Sequence, residues 1–262
     1  MRGHGVPTDL HLTERRRDGW RRVRSMHEDT DAVVAVGGDG TLGEVLSGLV
    51  DRDVAVGQLP MGTADVLAKD ARIPRDVDGT IEMVLRGRTS VLDAATVNGR
   101  ISFLCVGSGF DGYCVEEVER RRKGPITKFD YVRATGTVLR KARQPRLGLE
   151  IDGEKIAGEF GFVLVSNVRE YGAVFHLSSL SRRDDGKVEV YALRNASNWN
   201  LARMAVTGMV RELPGSVADF WQAERVRITA DQDVPWQLDG DLGGHGSVDY
   251  QLTGTRFRLL VP

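Results

Sequence analysis

The stretch that most limits what this chain can fold into is residues 32–44, Ala-Val-Val-Ala-Val-Gly-Gly-Asp-Gly-Thr-Leu-Gly-Glu. Its first five residues are apolar with no polar alternation, the pattern of a parallel strand buried on both faces. Gly37, Gly38 and Gly40 then strip side chains from a turn, which lets a ligand approach the backbone. Beyond Thr41, Leu42, Val45, Leu46, Leu49 and Val50 recur at helical spacing. Strand, glycine loop and helix N-terminus together aim free N–H groups at one point, which suits a phosphate. The glycines alone are equally explained by a tight strand-to-helix connection. Asp39, a carboxylate inside the loop, makes chemical sense beside a phosphate if a cation lies between them, which points to Mg2+.

A second turn repeats this logic. Residues 54–59 read as a strand ending in Pro60-Met61-Gly62-Thr63, with a glycine and a capping threonine. Neighbouring parallel strands of an open sheet place such loops around one crevice. Upstream, residues 8–12 suggest a short strand, and Thr13 is suited to cap an arginine-rich helix reaching about residue 29. Its arginines at 15, 16, 17, 21, 22 and 24 fit a solvated helix face better than an anion site. A further helix is expected over 78–87.

From Thr89 the texture changes. Short β-type runs occupy 91–97, 101–106, 147–151, 158–166, 226–229, 236–239, 248–252 and 257–261, interrupted by helical stretches at 112–123 and 127–143. Residues 197–213, with Trp199, Met204, Met209 and Leu213, read as an amphipathic helix whose apolar face serves core packing more readily than acyl-chain contact. The expected architecture is an α/β N-terminal domain over 1–88, a parallel sheet flanked by helices, followed by a β-rich, sandwich-like C-terminal domain over 89–262. The last strand is open to returning to the first domain.

Composition excludes several classes. Lys+Arg at 36 against Asp+Glu at 37 leaves no field to attract nucleic acid. Two cysteines, Cys105 and Cys114, are too few for a disulfide framework or a zinc site, which favours a reducing cytoplasm. No apolar run approaches the ~18 residues that span a bilayer, so a lipid would be reached from the membrane surface. The five histidines, at 4, 11, 27, 176 and 245, show no ligand-like spacing.

The string Gly-Gly-Asp-Gly-Thr at 37–41 is neither a P-loop nor a dinucleotide fingerprint. It resembles the signature of the diacylglycerol kinase catalytic-domain family, which includes diacylglycerol, sphingosine and ceramide kinases and bacterial lipid kinases, and whose fold is shared with NAD kinases. Weaker motifs follow in the family's order. Residues 103–111, Phe-Leu-Cys-Val-Gly-Ser-Gly-Phe-Asp, look like its strand ending in Gly-x-Gly-Phe-Asp; Asn167 to Gly172 looks like its Asn-x-x-x-x-Gly segment. Residues 183–190 are similar to its Asp-Gly hairpin, and Leu238-Asp239-Gly240-Asp241 to its Leu-Asp-Gly-Glu turn. The resemblance covers almost the whole chain.

What the resemblance implies is an ATP-dependent lipid kinase, transferring the γ-phosphate to a hydroxyl of a diacylglycerol-like or sphingoid lipid, peripheral to the membrane and, as some relatives suggest, a homodimer. Carried over residue by residue, Thr13, Gly37, Gly38, Asp39, Gly40, Thr41, Glu44, Gly62 and Thr63 line the nucleotide, and Asp39, Asp111 and Asp185 surround Mg2+. Asp241 takes the place of the general base, with Asp239 as the alternative and Asp39 as a third catalytic carboxylate. On the residues alone, Asp239-Gly240 reads as a hairpin turn, and Asp111 and Asp185 as capping or turn residues. NAD kinase, and a catalytically impaired nucleotide- or lipid-binding relative, are the competing readings. The chain departs from the family in four ways. It starts after the strand and Asn-Pro-x-x-Gly loop that open most members, Asp65 and Gly43 stand where asparagines are usual, and Asp241 shortens the usual glutamate by one methylene.

Overall fold

The computed structural model describes residues 5–122, 124, 126–141, 145–171, 175–210, 213 and 218–262. The chain forms two compact units, Met1–Leu92 with Thr255–Pro262, and Asp93–Gly254.

The first unit contains α1 (Asp18–Arg24), β1 (Ala32–Gly37), α2 (Asp39–Leu49), β2 (Ala55–Pro60), α3 (Val66–Asp70) and α4 (Val77–Arg86). β1 and β2 pair in parallel from Ala32 opposite Ala55 to Gly37 opposite Pro60, as the two strand-and-turn segments predict. The stripe foreseen on α2 is its buried face, with Leu42, Val45, Leu46 and Leu49 sealed from solvent. Gly48 lets α1 approach, since a Cβ there would lie 2.9 Å from Val23 Cβ. α4 is capped at both ends by its own sequence: Asp76 accepts from the Gly79 amide at 2.8 Å, and Gly87 closes it at φ 63.

Three expectations for this unit are corrected. Residues 8–12 form no strand. The arginine-rich helix is the seven residues of α1, not a run from Thr13 to about 29, and Thr13 does not cap it. Its N-terminal amides are instead served from α2, by Glu44, which is invisible to a local reading. β1 is not buried on both faces: among the described residues it lies at the sheet edge with Val36 53% exposed, and β2 is the covered strand. An unbroken apolar run does not distinguish an edge strand from a central one, because that depends on which neighbours pair with it.

The second unit is built from the end of β3 (Thr89–Val97), β4 (Arg100–Ser102), β5 (Cys105–Gly109), α5 (Phe110–Arg121), α6 (Lys128–Lys141), β6 (Leu147–Ile151), β7 (Glu154–Phe160), β8 (Phe162–Ser166), β9 (Glu170–Tyr171), β10 (Phe175–His176), β11 (Val188–Leu193), α7 (Asn198–Val210), β12 (Asp219–Ala223), β13 (Arg225–Thr229), β14 (Pro235–Leu238), β15 (Asp241–His245) and most of β16 (Val248–Leu260). One antiparallel sheet runs β12-β11-β8-β5-β14-β15; the other carries β16, β13, β6 and β7. Their inner faces interlock in one core, with Leu149, Ile151, Val226, Ile228 and Tyr250 meeting Val106, Val165, Val190 and Trp236. That is the expected sandwich. The runs at 248–252 and 257–261 are a single strand, β16, unbroken through residues 253–256. The run at 158–166 is two strands broken at Gly161. β11, β12 and β15 were not among the expected runs; β12 is only five residues long and β15 is glycine-rich.

α5 and α6 pack as a hairpin. Between them the Glu117 side chain, 5% exposed, meets Arg120 at 2.6 Å, Arg121 at 2.5 Å and Lys141 at 3.3 Å. The Arg120 hydrogen bond, with Lys141 and Arg121, holds its carboxyl down at about 2 against an ordinary 4.5. A depressed acid stabilises the fold above the unfolded value and loses that contribution as pH falls through the folded one. The network is therefore expected to contribute on the order of 2–3 kcal/mol near neutrality, vanishing between 4.5 and about 2. Urea titrations should show Glu117→Gln less stable than wild type at neutral pH, with the gap closing in acid.

Candidate functional site

In the first unit the two glycine turns touch. A Cβ on Gly62 would lie 2.6 Å from Gly38 Cα, and one on Gly38 would lie 3.0 Å from Gly62 Cα, so no side chain fits between the backbones. The ends are pinned by Met61 N and Gln58 Nε2, which donate to the Gly37 carbonyl at 3.2 and 3.1 Å. α2 starts directly after Gly38. Its first bond is donated by Leu42 N to Gly38 O at 3.1 Å, so the amides of Asp39, Gly40 and Thr41 precede the helical ladder. Gly40 is exposed, and a Cβ there would meet nothing within 4 Å. Packing within the protein does not require a glycine at 40, whereas it does at 38 and 62. Thr63 is exposed beside Gly62.

Two acids in this unit have partners that the sequence did not reveal. Asp39 accepts from Val66 N at 2.9 Å and Leu67 N at 3.4 Å, so its charge is met by the first amides of α3 and needs no cation to explain it. Burial pushes its carboxyl above the ordinary value, opposed by those two amides. Asp65, fully buried at φ 48, accepts from Gly62 N at 2.9 Å and pairs with Arg75 at 2.7 Å. The negative charge that replaces the usual asparagine is thereby neutralised within the turn, and the left-handed backbone is one that Asp and Asn tolerate. Glu44 accepts from Arg17 N at 2.7 Å and Gly19 N at 3.1 Å, serving α1. Thr13 is exposed and outside any element.

In the second unit Asp239-Gly240 is a two-residue hairpin loop joining β14 and β15, with Leu238 opposite Asp241. Its φ angles of 51 and 91 are the left-handed pair such a loop needs. Asp241 opens β15 and is exposed. Asp239 turns the other way. Its Oδ1 accepts from Ser102 Oγ, Leu104 N and Cys105 N at 2.8, 3.0 and 3.0 Å, and its Oδ2 from Phe103 N at 3.2 Å. Burial pushes this carboxyl up to about 6 against the pull of those donors. The geometry makes Asp239 an anchor for the β4–β5 connection, with both of its oxygens engaged by donors. Tyr131 of α6 donates to the Gly240 carbonyl at 3.4 Å; burial first, then the charges of Asp111 and Asp241, push its phenol up to about 12.

Asp111 sits in the first turn of α5, buried, with the Tyr171 hydroxyl donating to its Oδ1. Its Oδ2 is sealed from solvent and lies against Gly107, where a Cβ would come within 1.8 Å of it. Burial raises this carboxyl, opposed by Tyr171 and Gln237. Asp185 is exposed and accepts from Lys187 N at 3.0 Å, a turn role. The turn itself is held by Asp93, which accepts from Gly186 N at 2.7 Å. Asp93 was missed; a lone acid in the apolar run Val91-Leu92-Asp93-Ala94-Ala95 was the available signal. Asn167 donates through Nδ2 to the Asp93 carbonyl at 2.9 Å, and Gly172 lies outside the described residues.

Among the described residues no three His, Cys, Asp or Glu side chains stand close enough to hold a metal ion. Asp39 is engaged by amides, Asp185 by its own turn, and Asp111 faces backbone. Within the second unit, Asp111 and Asp185 do not form a Mg2+ cage. No helix among the described residues is long and apolar enough to cross a membrane.

Two family models match the chain in succession. The diacylglycerol kinase catalytic domain matches residues 1–97, and the YegS C-terminal NAD kinase beta sandwich-like domain matches residues 104–261. A diacylglycerol kinase from Bacillus subtilis is 26% identical over 245 residues, covering 92% of this chain and 81% of that protein. One from Staphylococcus aureus is 24% identical over 246 residues, covering 92% and 78%. A solved structure of a diacylglycerol kinase from Bacillus anthracis superposes with a TM-score of 0.71 at 16% identity, over 95% of this chain and 83% of that one. With both of its units matched in order, the chain belongs to the diacylglycerol kinase catalytic-domain family.

Proposed function

We propose that this protein is an ATP-dependent lipid kinase that transfers the γ-phosphate to a hydroxyl of a diacylglycerol-like or sphingoid lipid. The observation that carries the reading is the pair of interlocked glycine turns at the head of α2, within a chain of this family. In this reading residues 37–41 and Gly62 with Thr63 receive the nucleotide phosphates, and the amides ahead of the α2 ladder supply the donors. Asp241 accepts the proton of the attacking hydroxyl as the new O–P bond forms, while the bond between the γ-phosphorus and the bridging oxygen breaks and ADP leaves. Asp39 and Glu44 act by holding α3 and α1 against the loop, and Asp239 by fixing the turn that carries Asp241.

The reading is tested by incubating the protein with Mg2+, labelled ATP and mixed micelles containing diacylglycerol, sphingosine or ceramide, with NAD as a competing acceptor. Labelled lipid is expected. Labelled NAD alone, or no labelled acceptor, would overturn it. Gly40→Ala isolates the loop. A methyl at this open helical position is expected to raise apo stability by about 0.5–1 kcal/mol. In the path of a phosphate it is expected to weaken ATP binding by about tenfold, which calorimetry and thermal melting read separately. Unchanged ATP affinity would remove the nucleotide from this loop.

A further inference from the structure

Gln237 is a polar side chain in a buried strand position. It lies on β14 between Trp236 and Leu238, which both belong to the sandwich core, and it is 1% exposed. Strand alternation turns it to the other face, where α5 packs. There it stands opposite Gly107 of β5, the glycine against which Asp111 lies. A buried amide costs stability unless its polar atoms are served. Its Oε1 accepts from Gly240 N at 2.8 Å, and its Nε2 donates to Cys105 Sγ at 3.5 Å, a weak acceptor. A backbone N–H can only donate, so the oxygen end of the amide is the one that faces the turn.

Packing does not hold Gly240: its φ is 91, and a Cβ there would meet nothing within 4 Å. Hydrogen bonds hold it instead. The peptide before it is fixed through its N–H by Gln237. The peptide after it, which supplies the nitrogen of Asp241, is met at its carbonyl by the Tyr131 hydroxyl at 3.4 Å, the weaker of the two bonds. Asp239 is already tied to the β4–β5 connection. What remains to be set in this turn is the direction in which the chain leaves Gly240, and two side chains set it, one from β14 and one from α6. We propose that Gln237 is a positioning residue for phosphoryl transfer, holding the Gly240 amide so that the Asp241 carboxylate stands where the attacking hydroxyl needs it, with Tyr131 acting on the same turn. This rests on the reading of Asp241 as the base. An aspartate reaches one methylene less far than the family's usual glutamate, so its placement depends more heavily on the backbone. A misplacement of about 1 Å costs on the order of a hundredfold in rate.

Gln237→Leu keeps the side-chain volume and removes the acceptor. It is expected to lower kcat by about tenfold to a hundredfold with KM for ATP unchanged, and Tyr131→Phe by about threefold to tenfold. Hydrogen exchange at the Gly240 amide is expected to quicken by about fivefold to tenfold in Gln237→Leu, the loss of one hydrogen bond. A simple turn cap would make the same bond, and a double variant separates the two roles. In the Asp241→Asn background Gln237→Leu is expected to lower kcat no further, because it acts through that carboxylate. A second fall of the same size there, wild-type kcat in Gln237→Leu, or unchanged exchange at Gly240 would each overturn the proposal. An unchanged melting temperature verifies that Gln237→Leu folds; if it does not, Tyr131→Phe in the same two backgrounds carries the test. The two ideas fail separately. Full activity in Asp241→Asn, or no labelled lipid from the wild-type protein, removes the base reading and with it the catalytic role of Gln237, while the exchange rate at Gly240 decides on its own whether Gln237 holds the turn.

Discussion

Asp241→Asn is expected to lower kcat by about a hundredfold to ten-thousandfold, the usual contribution of a positioned general base. It should leave the fold and the nucleotide affinity nearly unchanged. The residue is exposed at the first position of β15, so an isosteric amide there costs within about 0.5 kcal/mol of stability. Asparagine can still hydrogen-bond the hydroxyl but cannot take its proton, so the loss belongs in kcat rather than in ATP binding. Steady-state kinetics on micellar lipid, with calorimetry for ATP, checks both halves. Full activity in this variant would remove the base role from Asp241.

The opposite outcome is expected two residues earlier. Asp239→Ala leaves the amides of Phe103, Leu104 and Cys105 and the Ser102 hydroxyl without their acceptor. It also places alanine at φ 51, in the left-handed region. Each unserved donor costs about 1–3 kcal/mol and the costs do not simply add, so a loss of about 3–5 kcal/mol is expected. For a chain this size that is a fall of roughly 8–15 °C in the melting midpoint. Asp239→Asn keeps one acceptor oxygen and tolerates the backbone, so about 1–2 kcal/mol is expected. Thermal and urea melts of both variants read this directly. An Asp239→Ala protein as stable as wild type would overturn the anchor assignment. The paired result, activity lost at 241 and stability lost at 239, would separate two acids that the sequence presents as interchangeable.

Tyr131 links these positions through its bond to the Gly240 carbonyl. Asp111 and Tyr171, on α5 and β9, add a buried carboxylate and phenol to the same unit. Gly107 keeps its place because any side chain there would strike Asp111. The glycines of the Gly-x-Gly-Phe-Asp stretch are therefore explained in part by the acid that follows them.

The sequence by itself determined the parallel β1–β2 pair with its glycine turns, the helical stripe of α2, the change to an antiparallel sandwich and the family. These rest on periodicity and on local backbone requirements, which are written within a few residues. Only the tertiary structure decided what each acid does. Asp39, Asp65 and Asp239 are carboxylates in or beside turns and Glu44 lies within α2, and their roles depend on donors brought from 3 to 137 positions away. It likewise decided that β1 is an edge strand, that residues 248–260 form one strand, and that an Arg75 guanidinium offsets the charge of Asp65. A carboxylate's function is set by which N–H groups and cations surround it, and a linear chain carries that information only through the fold.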